Sequence, residues 1–176
     1  EKAGFITYMV TPDKDYGQLV SEKVFMYRPK HSGGYELMGM DEVKNKYELN
    51  SHNQVIDLLG LMGDSSDNIP GCPGVGEKTA VKLLQEFGSI ENLINNTDQL
   101  KGALKTKIEE NIEIIKFSRF LATIKTDVPV ELKEDDLVLT PPDETKLRLL
   151  YEDLEFRTFL NKLNGSTDKP SPTTKK

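Results

Sequence analysis

Residues 69–84, Ile-Pro-Gly-Cys-Pro-Gly-Val-Gly-Glu-Lys-Thr-Ala-Val-Lys-Leu-Leu, constrain this chain more than any other stretch. Pro70 and Pro73 exclude a continuous helix, while Gly71, Gly74 and Gly76 permit tight turns. From Glu77 onward Val81, Leu83 and Leu84 recur at helical spacing, so a helix is expected over 77–87, closed by Gly88. The segment reads as a hairpin that opens onto a helix N-terminus. Without Cβ atoms at Gly74 and Gly76 a ligand can reach the backbone, and free N–H groups in the first helical turn suit a phosphate oxygen. Lys78 and Lys82 lie four apart and share a face, and Ala80 is small enough for close approach of a preceding helix.

Two nucleotide-binding motifs come near and fail. Gly71 and Gly76 have the spacing of a Walker A loop, but Glu77 stands where that loop needs lysine. A dinucleotide fingerprint from Gly74 and Gly76 would need a glycine at Thr79 and a strand just before it, where Pro70-Gly71-Cys72-Pro73 stands. What remains is a helix-hairpin-helix, whose phosphate contacts position a protein on a duplex without reading sequence. Its candidate DNA-binding residues are Gly71, Gly74, Val75, Gly76, Lys78, Thr79 and Lys82. The plainer alternative is that the glycines only end one helix and begin another.

Two pairs of carboxylates flank this feature in sequence. Asp13 and Asp15 follow the first apolar run and, in an extended segment, would point to one side. Asp64 and Asp67 lie three apart, directly after a helix expected over 53–62. Hard divalent cations such as Mg²⁺ or Mn²⁺ take oxygen ligands, and two such ions can stabilise the attacking and leaving oxygens of phosphodiester hydrolysis. Each pair also has a structural reading as turn and cap residues. The nearness of Asp64 and Asp67 to the hairpin favours a joint site.

Phe5 to Val10 reads as a buried strand, Val24–Tyr27 and Tyr35–Met38 as further strands, and Tyr16–Val20 as a short helix. Asp41 is expected to cap a helix reaching about Tyr47, and Ser89 another through Ile94. Lys105 to Leu121 is expected to form the longest helix, with Ile108, Ile112, Ile115 and Phe117 among its apolar positions, and Glu144–Leu163 to be largely helical. The fold class expected is α/β, predominantly helical.

Composition bounds the rest. With 36% hydrophobic residues a core is expected, while no apolar run approaches the ~20 residues of a bilayer span, so no membrane partner is expected. A lone Cys72 excludes a disulfide framework and, with no signal-like start, leads to a cytoplasmic expectation. The net charge of −6 argues against nucleic acid until it is divided along the chain. Residues 1–70 hold 7 basic and 11 acidic side chains, residues 71–125 hold 8 and 7, and residues 126–176 hold 8 and 11. The hairpin thus lies in the only segment without acidic excess. His31 and His52 are read as surface residues.

Thr11-Pro-Asp-Lys-Asp-Tyr-Gly-Gln-Leu-Val20, Leu61-Met-Gly-Asp-Ser-Ser-Asp-Asn-Ile-Pro-Gly71 and Gly74-Val-Gly-Glu-Lys-Thr-Ala80 together resemble the 5′-nuclease domains of bacterial polymerases, members of the flap-endonuclease family. The resemblance covers roughly residues 1–163. It implies the C-terminal part of a PIN-like, Rossmann-type nuclease core over 1–62, a helix–three-turn–helix subdomain over 63–163, and a disordered linker towards a polymerase part over 164–176. It implies divalent-metal ligation by Asp13, Asp15, Asp64 and Asp67, K⁺ on the hairpin carbonyls, and double-stranded or flap DNA as partner, with a monomer expected. Pro12 stands where many relatives have a small residue, and Cys72 where an aliphatic one is common. The start at Glu1, without Met and just ahead of a strand-like run, is read as a truncation that leaves further carboxylates upstream. The chain alone is therefore expected to have little or no nuclease activity. Two rivals remain: a non-catalytic helix-hairpin-helix module, and a helical protein-interaction bundle without DNA binding.

Overall fold

Short apolar runs separated by Pro and Gly build a small sheet first. The computed structural model describes residues 1–131 and 133–165, and places β1 at Thr7–Met9, β2 at Val24–Pro29 and β3 at Tyr35–Met38. The strand order is β1-β2-β3, with β1 parallel to β2 (Thr7 opposite Val24) and β2 antiparallel to β3 (Met26 opposite Met38). Because strand side chains alternate between faces, Met9, Met26 and Met38 form one row across the sheet, turned to the core. The other face carries Tyr8, Phe25, Tyr27, Tyr35 and Leu37, with Tyr8 stacked on Phe25 and Tyr27 on Tyr35 at 5.8 and 4.5 Å.

The expectation of a buried strand over Phe5–Val10 is therefore corrected. The strand spans only Thr7–Met9 at the sheet edge, and Ile6, Tyr8 and Val10 are exposed, Tyr8 by 55%. Only the Met9 side of the strand meets the core.

The remaining elements of this unit are a two-turn 3₁₀ helix at Lys14–Leu19 and six α-helices. These are α1 (Met40–Lys46), α2 (Gln54–Met62), α3 (Glu77–Phe87), α4 (Ile90–Asn95), α5 (Gly102–Glu110) and α6 (Ile112–Ala122), with a 3₁₀ turn at Thr97–Gln99 before α5. Two expectations change. Gly39, not Asp41, caps α1: the Gly39 amide donates to Glu42 Oε2 at 2.9 Å, and Asp41 lies exposed in the first turn. The long helix over Lys105–Leu121 is two helices broken at Asn111, whose Nδ2 donates to the Lys107 carbonyl at 2.7 Å and so ends α5. Ile108 and Ile115 are fully buried, but Phe117 is exposed.

α2 is the central helix of the core. Val55, Leu58, Leu59 and Leu61 are almost fully buried, and each such side chain contributes roughly 1.5–3 kcal/mol relative to exposure. Gly60 lets α6 cross α2 closely, since a Cβ there would lie 3.0 Å from Arg119 Cβ. The buried Gln54 joins α2 to α3: its Nε2 donates to the carbonyls of Leu84 and Gly88, and its Oε1 accepts from the amides of Asn50 and Ser51. Asp57 of α2 accepts from Arg119 Nε of α6 at 2.5 Å and, more weakly, from the Ile90 amide of α4 at 3.4 Å.

The chain divides into two compact units, Glu1–Val128 and Pro129–Lys176. The sheet and the hairpin share the first unit, so residue 62 marks the end of α2 within it. In the second unit α7 (Glu144–Asp153) starts at Asp143, whose side chain accepts from the Lys146 amide, and α8 spans Arg157–Gly165. Glu155, at φ 54°, stands in the turn between them, and the rings of Tyr151, Phe156 and Phe159 meet across it. The linker expected over 164–176 lies outside the described residues beyond Gly165, where α8 ends. Among the described residues no helix is long and apolar enough to cross a membrane.

Candidate metal and nucleic-acid site

The first acidic pair is arranged by a turn and not by strand alternation. The Asp13 amide donates to Thr11 Oγ1 at 3.1 Å, and Asp13 Oδ1 accepts from the Asp15 amide at 3.0 Å, capping the 3₁₀ turn at Lys14–Leu19. Asp13 is exposed, whereas Asp15 is carried inward. Gly17, within the same turn, is buried against Val43 and Val55, which holds the turn on the core.

The second pair follows α2 through Gly63, whose φ of 74° reverses the chain. Asp64 pairs with Ile69 as an isolated β-bridge, and Asp64 Oδ1 accepts from the Ser66 amide and hydroxyl at 3.0 and 2.5 Å. Asp64 Oδ2 forms an ion pair with Lys14. These contacts bring Asp15, Asp64 and Asp67 together, with one carboxylate oxygen from each within 4.8 Å of the others. Asp13 lies outside that trio and adds its charge beside it.

The electrostatics show how crowded the acids are. Burial, followed by the Asp13 charge, pushes the Asp15 carboxyl up to about 6. Burial alone would also raise Asp64, but Lys14 and Ser66 outweigh it and hold Asp64 below the usual carboxylate range. Burial lowers the Lys14 ammonium, and Asp64 outweighs that in turn and leaves it raised. Asp15 Oδ1 is buried with no hydrogen-bond donor among the described residues. A buried carboxylate oxygen left without a donor, facing two further acids, fits a hard cation that takes oxygen ligands.

The hairpin follows at once. Gly71, at φ 65°, passes so close to Gly63 that a Cβ on it would lie 2.3 Å from the Gly63 nitrogen. The Gly71 amide donates to Ser118 Oγ of α6 at 2.9 Å, and the Cys72 amide to the Leu61 carbonyl at 2.7 Å. Cys72 and Val75 are buried, so these two residues and Gly71 brace the turn, while Gly74 and Gly76 reach solvent. Gly76 caps α3, its carbonyl accepting from Thr79 and Ala80. Among the described residues the amides of Gly76, Glu77 and Lys78 have no protein acceptor, and Lys78 and Lys82 are exposed without ion pairs.

Sequence reasoning missed five supporting residues. Lys14, flanked by two aspartates, had the one signal that could have shown it as their counter-ion. Lys107 of α5 brings its ammonium to the hairpin, where a Cβ on Gly74 would lie 2.7 Å from Nζ. Ser118 and the Asp57–Arg119 pair carry no local signal, because each is defined by a helix distant in sequence.

A turn-mounted acidic trio joined by a β-bridge to a glycine hairpin defines a class. The chain belongs to the 5′-3′ exonuclease C-terminal SAM-fold family, whose pattern matches residues 50–145, more than half of its length. Among individual relatives, DNA polymerase I of Bacillus caldotenax is 40% identical over 178 residues, covering 99% of this chain but 20% of the polymerase. The chain thus spans about a fifth of the length of such polymerases. Among solved structures, the T5 5′-exonuclease with bound zinc has a TM-score of 0.58 at 22% identity, covering 65% of this chain and 42% of that one. A T5 flap endonuclease in complex with DNA and metal ions has a TM-score of 0.57 at 21% identity, covering 65% and 42%. These two show the shared fold.

Proposed function

We propose that this chain supplies one part of a structure-selective 5′-3′ exonuclease and flap-endonuclease site, hydrolysing DNA phosphodiesters in replication and repair. In this reading it works within a longer cytoplasmic polypeptide that also carries a polymerase part, and the chain by itself is a monomer. The observation that carries the reading is the convergence of Asp15, Asp64 and Asp67, with Asp15 Oδ1 lacking a donor among the described residues, one β-bridge away from the hairpin. The family membership and the polymerase I relatives support it.

Asp15, Asp64 and Asp67 would hold the divalent ion, with Asp13 adding charge beside them. Mg²⁺ or Mn²⁺ bound there would supply charge stabilisation for phosphodiester cleavage. The chain's own residues do the rest. Lys14 neutralises Asp64, and the free amides at the α3 N-terminus, with Lys78 and Lys82, hold phosphates of the duplex. A K⁺ ion on the hairpin carbonyls is a finer part of the same proposal. The non-catalytic alternative explains Asp13 and Asp64 Oδ1, which do cap turns, but not the inward-turned Asp15. In this reading the chain, which spans about a fifth of the length of its polymerase relatives, binds duplex but does not cleave by itself.

The test is fluorescence anisotropy of a 5′-flap duplex, with Ca²⁺ or Mg²⁺ titrated in. Binding strengthened by the divalent ion, with that dependence lost in Asp64→Ala, supports the reading. Absence of duplex binding, or a dependence unchanged by Asp64→Ala, overturns it. Metal-dependent cleavage by the isolated chain would overturn the claim that it is inactive alone.

A further inference from the structure

A groove of about 440 Å³ lies between the C-terminal end of α1 and one face of α3, the helix that follows the hairpin. Its α3 wall is the stripe Lys78, Val81, Lys82 and Gln85, which are neighbours at three- and four-residue spacing. Its α1 wall is Lys46, Tyr47 and Glu48. The groove is built and not incidental. Gln85 Nε2 donates to the Glu48 carbonyl at 2.7 Å, closing one end. Glu48 is held at φ 53°, a conformation that glycine would adopt at lower cost, while the Leu49 amide donates to the Lys44 carbonyl at 2.9 Å to terminate α1. Lys46 Nζ lies 5.7 Å over the Tyr47 ring, which fixes its position.

Three ammonium groups therefore converge on one groove, and none has a carboxylate partner among the described residues, although acids outnumber bases in this chain by 29 to 23. Lys14, Lys44, Lys105, Lys116, Lys125 and Lys146 do find such partners. Lysines left unpaired in an acidic protein, along a concave surface, fit an anion from outside. Glu48 and Glu77 also line the groove, so its five charges sum to one positive. That balance suits a singly charged phosphodiester better than a free phosphate dianion. From Lys78 to Gln85 the α3 wall is about 10 Å long, at 1.5 Å per residue. Consecutive phosphates of one strand rise ~3.4 Å along the duplex axis and lie farther apart along the backbone itself, so a wall of this length can face more than one phosphate.

We propose that this groove continues the path of the DNA backbone away from the hairpin, with Lys46 of α1 as a phosphate-binding residue in addition to Lys78 and Lys82. The proposal rests on the duplex-binding reading above and extends it to a helix outside the hairpin motif. Lys46 sets where the duplex lies along α3, and its removal weakens binding equally for all sequences.

The experiment is duplex binding by fluorescence anisotropy across a series of KCl concentrations. Lys46→Gln is expected to reduce the slope of log K against log [salt] by about 0.9, the amount for one phosphate contact, and to lower low-salt affinity several-fold. Lys46→Arg should keep the slope, and Lys30→Gln, in the β2–β3 loop, should change nothing. A wild-type slope in Lys46→Gln, alongside reduced slopes in Lys78→Gln and Lys82→Gln, overturns the groove and leaves the hairpin grip standing. Unchanged slopes in all three, or no duplex binding by the wild type, overturn both.

Discussion

Asp64 and Ile69 exchange both of their backbone hydrogen bonds, the Asp64 amide donating to the Ile69 carbonyl at 2.9 Å and the Ile69 amide to the Asp64 carbonyl at 2.8 Å. The bridge closes the acidic loop on itself and leads straight into Pro70 and Gly71. The buried carboxylate and the start of the hairpin are therefore joined by a few residues of fixed backbone. In the proposed function, a duplex gripped at the hairpin would therefore sit at a set distance from the acids.

Proton linkage gives the first prediction. Asp15 has its carboxyl raised to about 6, so in the metal-free protein it is largely protonated below that pH. A divalent ion must displace this proton. Mg²⁺ affinity should fall as pH drops from 7 through 6, with proton release per bound ion increasing over the same window. Titration calorimetry in buffers of different ionisation enthalpy measures both quantities.

The same group affects stability in the absence of metal. An acid whose pKa is raised on folding contributes stability that is fully present below the unfolded value of 3.8 and is lost as pH rises through about 6. Asp15→Asn should therefore stabilise the metal-free chain at pH 7, by about 1 kcal/mol once the group's partial exposure to solvent is discounted. It should also flatten the pH dependence between 4 and 6. Chemical denaturation at several pH values reads both effects.

Two glycines of the hairpin should respond in opposite ways. Gly71→Ala places a Cβ against the Gly63 backbone at a φ of 65° and is expected to destabilise by more than about 2 kcal/mol. Gly76→Ala meets no atom within 4 Å, so it should cost only the poorer N-cap, about 0.5–1 kcal/mol. The added methyl group there projects where a phosphate would approach, and duplex affinity should fall. Denaturation paired with duplex binding separates the two.

The Asp57–Arg119 pair joins α2 to α6, with the Asp57 side chain 7% exposed. Arg119→Leu leaves that carboxylate buried without its main partner and should destabilise by about 2–4 kcal/mol at pH 7. Burial already raises the Asp57 pKa and Arg119 counters it, so the variant should recover stability as pH falls and Asp57 becomes neutral. Denaturation of the variant at pH 7 and pH 5 reads the difference.

What could be read from sequence was what local chemistry encodes. The α3 helix from Glu77 to Phe87 with Gly88 after it, the Ser89 cap and strand β3 are local patterns, and they form as expected. The acids Asp64 and Asp67 were legible because they adjoin the hairpin. Asp15 lies with Asp64 and Asp67, but the spacing suggests strand alternation with Asp13, whereas the Asp13 cap and a 3₁₀ turn separate the two. The exposed face of β1 and the break at Asn111 depend on what packs where, which periodicity does not carry. Ser118, Lys107 and Arg119 act on residues 33 to 62 positions away, and single-chain patterns contain no trace of such partners.

Manganese-induced line broadening of backbone amide resonances tests the central claim most directly, because it maps a bound divalent ion onto individual residues. Substoichiometric Mn²⁺ should selectively broaden residues 13–15 and 64–68, then the adjoining Ile69–Gly71, and leave α4 sharp. Asp64→Ala should abolish the effect. Uniform broadening, broadening centred elsewhere, or a pattern unchanged in Asp64→Ala would contradict a metal site formed by Asp15, Asp64 and Asp67.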